Sequence, residues 1–346
     1  MKRQDDKMPF MLQYEHVAWY ENGEVRILDR RVYPREVRFE VCKTYGEVAQ
    51  AITDMVTQSA GPYTAAGMGM ALAAYEARDL KEAALFEYLT KAAETISNAR
   101  PTTSARLRKV TAGSIAAAKR AVESGEDVVD AVFEEAIRSL DRRYGAMHQV
   151  AKHLCTTIPE GGTVLTQCFG ETIIGTMTRA LQDAKKDVKF YCCETRPYYQ
   201  GARLTATCLS EAGFDTTVIT DNMVAYTMEN VGIDVFTSAT DTITMDGHVA
   251  NKVGTHQIAI VADHFHVPYY VTGMPDHGKN GKDDIVIELR DPALVLGDHT
   301  APGVKAIYPS FDITPPELIT GFVTDGGIYR PRELARYFDT AHASYY

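Results

Sequence analysis

The stretch "TVLTQC", residues 163–168, followed by "ETIIGTMTRALQDA", residues 171–184, decides the predicted fold. The first segment is apolar and β-branched, which is typical of a buried strand, and the second carries apolar side chains at helical spacing. The same alternation recurs as far as "PYYVTG" at residues 268–273. Four to six such β-α repeats predict a mostly parallel, doubly wound sheet.

The residues before this alternation have a different pattern. "HVAWYENGEVRILD", residues 16–29, places two β-rich arms around Asn22-Gly23, which is a strong β-hairpin signal. From Thr44 to about residue 155 the apolar residues recur at helical spacing. "IPEGG", residues 158–162, is a cluster of turn residues. We therefore predict an N-terminal strand and helical domain over residues 1–157 and an α/β domain over residues 158–346.

The overall charge excludes some classes of function. The 346 residues carry a net charge of −10, whereas a general nucleic-acid or anionic-membrane surface needs a basic face. No apolar run approaches the length of a membrane span, and "MKRQDDKMPF" has no apolar core of a secretory signal. The six cysteines are scattered without a CxxC pair, as reduced thiols are. We expect a cytoplasmic protein that binds neither nucleic acid nor membrane.

Polar residues follow the ends of the predicted strands, where an open parallel sheet binds its ligands. Cys168 ends the first strand, and Asp241 ends the fourth. We expect the next helix N-terminus to favour the Cys168 thiolate. Asn251 and Lys252 are expected to open a helix and to hold an anion there. A buried structural cysteine, a turn-capping aspartate and a surface lysine are the alternative interpretations.

Other signals point away from common sites. The sequence has no GxxxxGK[ST] loop, no GxGxxG after a strand, no HExxH and no GxSxG. His264 and His266 lie beside an apolar run and are more typical of packed or surface imidazoles than of metal ligands. Arg100, in "NARPTTSARL", precedes a Pro-Thr helix start, and a solvated interhelix arginine is the alternative there. No metal site is predicted.

Several long motifs resemble the methylthioribose-1-phosphate isomerase family. The most specific are "TRPYYQGARLTA" at 195–206, "GHVANKVGT" at 247–255 and "FDITPPELIT" at 311–320, and the resemblance runs in one order from about residue 20 to 332. That family is homologous to regulatory subunits of the exchange factor that recycles the GTPase of translation initiation. The resemblance implies a mainly helical N-terminal domain, a Rossmann-like C-terminal domain and a homodimer.

The resemblance also implies a site for a sugar phosphate, with no metal and no other cofactor. The family's catalytic cysteine and aspartate fall on Cys168 and Asp241. The implied substrate-binding residues are Arg100, Gln200, Asn251, Lys252 and the segment Gln58, Ser59 and Ala60.

The sequence departs from the family close to this site. The family's "RGAPAIG" reads "QSAGPYTAAG" from Gln58, so that an arginine donor is missing. "THCNAG" reads "TQCFGE", which places Phe169 and Glu171 near the thiol, and the acidic residue of "NGDVANK" is His248. These changes favour a related but different substrate, which includes 5-deoxyribose 1-phosphate or ribose 1,5-bisphosphate as well as methylthioribose 1-phosphate.

The expected chemistry is an aldose–ketose isomerisation. Because phosphate occupies the anomeric oxygen, the ring cannot open as a free hemiacetal does. We expect Asp241, in an apolar pocket that raises its pKa, to protonate the ring oxygen. Cys168 would move a proton between C2 and C1, or serve the hydroxyl during a hydride shift. A non-catalytic sensor or regulatory subunit is the alternative, although the exchange-factor subunits lack the full Cys and Asp pair.

Overall fold

The computed structural model describes residues 3–100 and 104–339. The chain packs as two compact units, the first ending at Gly145 and the second beginning at Ala146. The division falls inside the helix Val128–Thr157, earlier in the chain than the turn cluster that marked the predicted boundary. The domain limits 1–157 and 158–346 stay a prediction.

The secondary structure is described in chain order. The helices are α1 (Tyr14–Val17), α2 (Tyr45–Thr53), α3 (Gly61–Glu76), α4 (Glu82–Asn98), α5 (Ser104–Ser124), α6 (Val128–Thr157), α7 (Glu171–Asp183), α8 (Ala206–Glu211), α9 (Val224–Asn230), α10 (Thr255–His264) and α11 (Ala293–Leu296). The strands are β1 (Ala18–Glu21), β2 (Glu24–Leu28), β3 (Phe39–Cys42), β4 (Thr163–Gln167), β5 (Lys189–Cys193), β6 (Asp215–Ile219), β7 (Val235–Ala239), β8 (Thr242–Ile243), β9 (Val249–Lys252), β10 (Tyr269–Thr272), β11 (Phe311–Thr314), β12 (Gly321–Thr324) and β13 (Gly327–Tyr329). Short 3-10 helices cover Phe10–Leu12, Asp221–Met223, Lys282–Asp284, Pro316–Leu318 and Pro331–Asp339, and a π-helix covers Gly201–Thr205. Within the described ranges, the helices lack the combination of length and apolar character that crossing a membrane requires.

The first unit begins with the predicted hairpin. β1 pairs antiparallel with β2, and β2 pairs antiparallel with β3. Both turn residues have positive φ angles, 52° at Asn22 and 81° at Gly23, as a two-residue hairpin turn of the favoured hand requires. The hairpin predicted from the sequence is confirmed.

The helices of the first unit pack closely around α3. Thr44 caps α2 with a reciprocal pair of hydrogen bonds: its hydroxyl accepts from the Glu47 N–H and its own N–H donates to the Glu47 carboxylate. Nearly every residue of α3 is buried. A Cβ on Gly67 would lie 3.0 Å from the Ala136 Cβ, so the close approach of neighbouring helices depends on small residues in α3.

The second unit is built on a seven-stranded sheet in the order β13-β12-β10-β7-β4-β5-β6. All neighbours pair parallel except β12 and β13. From β4 the chain adds β5 and β6 on one side and then β7, β10 and β12 on the other. The mostly parallel sheet predicted from the sequence is confirmed. The order reverses between β4 and β7, and the carboxyl ends of strands at such a point form a crevice.

An apolar core fixes the strands of this sheet. Leu165 of β4, Phe236 of β7 and Phe322 of β12 are completely buried in one cluster. The Phe236 ring stacks on Tyr269 with centroids 4.2 Å apart, and the Tyr269 hydroxyl lies 2.7 Å from the Ser238 hydroxyl. Burying each such side chain stabilises the fold by roughly 1.5–3 kcal/mol. The strand ends are therefore held on a rigid support.

A second, three-stranded sheet, β11-β9-β8, carries Asn251 and Lys252. Lys252 pairs with Phe311 and Asn251 with Asp312 across the antiparallel β9–β11 ladder. The expectation that Asn251 and Lys252 open a helix was wrong, because this pairing keeps the backbone extended through Lys252. α10 begins three residues later, after Gly254 turns the chain with a φ of 104°.

Candidate active site

Cys168 and Asp241 follow neighbouring parallel strands. β4 ends at Gln167, which lies opposite Ser238 of β7, and β7 ends at Ala239. The two predicted catalytic residues therefore leave the sheet at the same edge, at the point where the strand order reverses. Their charges interact, since the Asp241 carboxylate raises the pKa of the Cys168 thiol.

Three neighbouring segments hold the backbone of Cys168. Its φ is 62°, a left-handed conformation that costs a non-glycine residue about 1–2 kcal/mol. The Cys168 N–H donates to the Thr195 hydroxyl at 3.1 Å, and the Cys168 carbonyl accepts from the Thr205 hydroxyl. The amide of the preceding Gln167 donates to the Val253 carbonyl at 3.2 Å. These bonds fix a conformation that the residue alone would not favour.

The thiol of Cys168 is protonated at neutral pH. Burial raises its pKa from the ordinary 9.0 to about 11; Lys252 and the Phe169 N–H oppose the shift, while Asp241 adds to it. The expectation that the helix N-terminus would favour a thiolate was therefore wrong. α7 begins at Glu171, and the cost of burying a charged sulfur outweighs the local positive charges.

This protonation state gives a direct prediction for alkylation. Because the thiolate is the reactive species, iodoacetamide should modify Cys168 slowly at pH 7 and about tenfold faster for each pH unit up to about pH 11. The other five cysteines are buried, so peptide mass spectrometry should report mainly Cys168. Cys168→Ser is the control and should remove this label. Complete labelling of Cys168 within minutes at pH 7 would contradict the protonated thiol.

Asp241 lies at the mouth of this crevice. Its side chain is exposed, and its N–H donates to the Ala250 carbonyl at 3.0 Å. The apolar pocket expected around this carboxylate is not found, because Thr240 and Asp241 form a bend between β7 and β8, outside the buried sheet. The position after the fourth strand agrees with the sequence, but the predicted burial was wrong.

Lys252 and Asn251 bring polar groups into the buried side of the site. Lys252 is 9% exposed, with its ammonium 5.0 Å from the centre of the Phe311 ring. Its charge is the largest of those that lower the pKa of Cys168. The Asn251 amide donates to the Thr255 hydroxyl at 3.1 Å. A lysine this deeply buried is a suitable cation for a small anion.

Asp312 of β11 holds the connection between β9 and α10 in place. The Asp312 carboxylate accepts from the Gly254 N–H at 2.7 Å and from the His256 N–H at 3.2 Å. Burial raises the pKa of Asp312, while the two backbone N–H groups oppose that shift. β11 therefore both pairs with the strand of Lys252 and caps the start of α10.

Gln200 presents a buried acceptor. It is 6% exposed, and its side-chain oxygen makes no hydrogen bond with any residue in the described part of the chain. The π-helix Gly201–Thr205 begins at the next residue. Such π-helical turns are frequent at functional sites. A buried amide oxygen of this kind can accept a hydrogen bond from a sugar hydroxyl.

The approach of this π-helix to β5 depends on Gly201. A Cβ there would lie 1.8 Å from the Cys193 carbonyl oxygen and 2.8 Å from the Thr195 hydroxyl. We expect Gly201→Ala to lower the free energy of unfolding by about 3 kcal/mol, since the backbone must move. Gly145→Ala, in α6 with nothing within 4 Å of the new Cβ, is the matched control. It should be neutral or stabilising by up to about 1 kcal/mol. Urea unfolding followed by circular dichroism measures both, and an unchanged midpoint for Gly201→Ala would refute the clash.

The segment Gln58, Ser59 and Ala60 lies in the first unit. Gln58 is buried, and its side-chain oxygen finds no hydrogen-bond partner among residues 3–100 and 104–339. Its carbonyl accepts from the guanidinium of Arg30 at 2.7 Å. Ser59 has a φ of 59°, and Ala60 precedes α3. The fully buried Arg30 thus places an arginine beside the segment that lacks the family's arginine.

Arg100 also belongs to the first unit. It is half-buried and follows Ala99, which ends α4 and whose carbonyl accepts from the Thr53 hydroxyl at 3.0 Å. The Pro-Thr helix start predicted after Arg100 lies outside the described residues. Five of the predicted site residues belong to the second unit: Cys168, Gln200, Asp241, Asn251 and Lys252. Arg100 and the Gln58 segment belong to the first.

The sequence analysis missed the residues that position the cysteine. The Thr195 N–H donates to Asp221 at 2.8 Å, and the Arg196 N–H donates to the other oxygen of Asp221 at 2.7 Å. Thr195 has a φ of 65°, and its hydroxyl accepts the hydrogen bond from the Cys168 N–H. Asp221 lies two residues after the end of β6, and nothing local in the sequence indicates its partners.

The residues that the structure describes contain no group of three or more His, Cys, Asp or Glu side chains placed to hold a metal ion. His264 contacts the Phe265 ring edge-on, with centroids 4.9 Å apart. The polar groups of the candidate site are a thiol, carboxylates, amides and an ammonium group.

The fold and the site define an α/β protein of a known family. Residues 58–331 match the Initiation factor 2 subunit family. The chain belongs to this family. A methylthioribose-1-phosphate isomerase from Chloroflexus aurantiacus is 36% identical over 92% of this chain and 96% of its own length. One from Pseudothermotoga lettingae is 34% identical over 91% and 94%. The resemblance to the methylthioribose-1-phosphate isomerase family and the class of enzyme, an isomerase, are thereby confirmed.

Solved structures share the fold over nearly the whole chain. The 5-methylthioribose 1-phosphate isomerase from Pyrococcus horikoshii OT3 superposes with a TM-score of 0.80 at 29% identity, over 93% of this chain and 95% of that one. The translation initiation factor eIF-2B, subunit delta, from A. fulgidus also gives 0.80, at 28% identity over 94% and 99%. The fold alone therefore does not separate an isomerase from an initiation-factor subunit.

Proposed function

We propose that this chain is an aldose–ketose isomerase that converts an aldose 1-phosphate into the ketose 1-phosphate. The observation that carries the proposal is that Cys168 and Asp241 leave neighbouring parallel strands at one edge, with Lys252 acting on the same thiol. This reaction on an anionic sugar needs one group that can hold a proton, one carboxylate and one buried cation. The isomerase names of the relatives support the same reaction.

The proposed chemistry moves two protons and one C–H hydrogen. Asp241 protonates the ring oxygen as its bond to C1 breaks, and then accepts the proton from the C2 hydroxyl. The hydrogen on C2 moves to C1, either as a proton that the minor thiolate form of Cys168 takes from C2 and returns at C1 through an enediol, or as a direct hydride shift with Cys168 serving the hydroxyl. C2 becomes the ketone and C1 keeps the phosphate, so the atoms balance without a co-reactant.

The remaining predicted residues would hold the substrate. Lys252 and Asn251 supply the buried ammonium and amide for the phosphate, with Arg100 as a further cation. Gln200 offers its unpaired amide oxygen to a sugar hydroxyl, and the Gln58, Ser59 and Ala60 segment completes the substrate contacts. Positioning of this kind can supply several kcal/mol of rate enhancement, about 7–11 at most. No metal or nucleotide enters the scheme.

The first candidate substrate is 5-methylthioribose 1-phosphate, because the named relatives act on it. The changes next to the thiol and in the Gln58 segment support a different C5 substituent, as in 5-deoxyribose 1-phosphate or ribose 1,5-bisphosphate.

We also infer a Rossmann-like second domain from the strand order, and a homodimer. The exposure of three large apolar side chains, Val286, Leu289 and Ile307, supports such an association.

A non-catalytic sensor of sugar phosphates is the second candidate. The equal TM-score of the eIF-2B delta subunit favours it. Phosphorus and proton NMR of a panel of aldose 1-phosphates incubated with the protein separates the two. New ketose 1-phosphate signals that Cys168→Ser does not produce support the isomerase and rank its substrates. Binding without turnover of any member would refute the isomerase and support the sensor.

A further inference from the structure

Tyr308 carries a buried hydroxyl that the proposed reaction scheme does not use. The residue is 2% exposed, and its hydroxyl makes no hydrogen bond within the described part of the chain. Leaving a buried donor unmade costs stability, so such a group in a folded protein needs an explanation. A ligand oxygen is one explanation if the hydroxyl lies beside the site.

Two hydrogen bonds connect the Tyr308 segment to the residue that precedes Cys168. The Val253 N–H donates to the Ser310 carbonyl at 3.2 Å, and the Gln167 amide donates to the Val253 carbonyl at 3.2 Å. Ser310 is two residues after Tyr308, and Gln167 directly precedes Cys168. The segment before β11 is therefore attached to the end of the strand that carries the cysteine.

Tyr308 also contacts the segment of Gln200. The rings of Tyr308 and Tyr198 are in contact, with centroids 6.2 Å apart and planes inclined by 52°. Gln200 lies two residues after Tyr198. Its buried side-chain oxygen also finds no hydrogen-bond partner among the described residues. One donor and one acceptor thus lie on segments that meet beside Cys168.

The Tyr308 hydroxyl remains a donor at neutral pH. Burial raises its pKa, Tyr198 and Cys168 raise it further, and Arg290 opposes the shift. A neutral phenol can stabilise charge on a nearby oxygen while keeping its own proton.

We propose that Tyr308 is a further catalytic residue, whose hydroxyl donates a hydrogen bond to the C2 oxygen of the sugar. This inference rests on the proposed isomerase function. As Asp241 accepts the proton of the C2 hydroxyl, the C2 oxygen gains negative charge before it becomes the ketone oxygen. A fixed donor at that oxygen is stronger in the transition state than in the bound substrate, so it acts on kcat more than on KM. Tyr308 transfers no proton.

The test is Tyr308→Phe, which keeps the ring and its contact with Tyr198. We expect kcat to fall about 100-fold with KM within twofold, as for the loss of one fixed donor to a charged oxygen. The melting temperature should stay equal or rise, because a buried hydroxyl without a partner is removed. Tyr198→Phe, which removes the hydroxyl of the neighbouring ring, is the matched control and should keep kcat within twofold.

The outcomes separate this inference from the proposed function. A Tyr308→Phe variant with kcat within twofold of wild type, or with a change in KM alone, overturns the role of Tyr308 and leaves the isomerase standing. If wild type converts no aldose 1-phosphate, the proposed function fails, and calorimetric titration with ribose 1-phosphate then decides on Tyr308. At least tenfold weaker binding by Tyr308→Phe supports the contact, whereas equal binding, or binding to neither protein, overturns it.

Discussion

Replacing Cys168 by serine is expected to lower kcat for the aldose 1-phosphate at least about 1000-fold, because positioned proton transfer contributes about 10²–10⁴-fold. Serine keeps the size and the left-handed backbone of the position, and its N–H can still donate to the Thr195 hydroxyl. Its hydroxyl is a much weaker acid than a thiol. The variant should bind substrate with KM within threefold of wild type, measured by steady-state kinetics with NMR detection.

A second cysteine variant controls for general effects of thiol removal. Cys42→Ala changes a buried thiol on β3 in the first unit, which has no part in the proposed reaction. It should lose stability but keep kcat near that of wild type. Turnover by Cys168→Ser within tenfold of wild type, in a protein with normal circular dichroism, would remove the thiol from the mechanism.

Asp241→Asn is expected to have an effect of the same size, about 1000-fold on kcat, since the amide can neither protonate the ring oxygen nor accept the C2 hydroxyl proton. The substitution preserves shape and leaves the backbone bond to the Ala250 carbonyl in place. Because Asp241 is exposed, its substitution should not impair folding. A loss of activity can then be assigned to the missing carboxyl group. Asp246→Asn, which changes an exposed carboxylate five residues along the chain, is the control and should keep kcat within threefold.

A second readout of Asp241→Asn does not depend on turnover. The Asp241 carboxylate raises the pKa of the Cys168 thiol, so its removal must lower that pKa. More thiolate is then present at any fixed pH, and alkylation of Cys168 by iodoacetamide at pH 8 should become faster than in wild type. An unchanged alkylation rate would show that the two groups do not share one site, whatever the kinetics.

Many strands, helices and turns of both units follow from local pattern. Apolar strands such as β4 and turn residues such as Asn22 and Gly23 are decided by the residues nearest to them, and the structure agrees with both. The β9 strand is different, because Val249 and Ala250 pair with the nearby β8 but Asn251 and Lys252 are kept extended only by β11, some sixty residues later. A partner so distant leaves no periodic signal in the segment itself.

The location of the candidate site could be predicted, but its electrostatics could not. Strand ends in a parallel sheet converge by geometry, which brought Cys168 and Asp241 together. The protonation of Cys168 depends on how deeply the sulfur is buried against the Lys252 charge, and the exposure of Asp241 depends on the bend before β8. Tyr308 was missed for the same reason, since an unpaired hydroxyl is a property of the packed chain.

The dependence of β9 on β11 determines when the protein can become active during synthesis. A ribosome makes Cys168, Asp241 and Lys252 well before Phe311 and Asp312, and domains fold as their residues emerge. Until β11 leaves the exit tunnel, the Asn251 and Lys252 end of β9 lacks its pairing strand, and α10 lacks the Asp312 carboxylate at its start. A nascent chain stalled before residue 311 would therefore carry every proposed catalytic group and still be inert, so competence waits for β11.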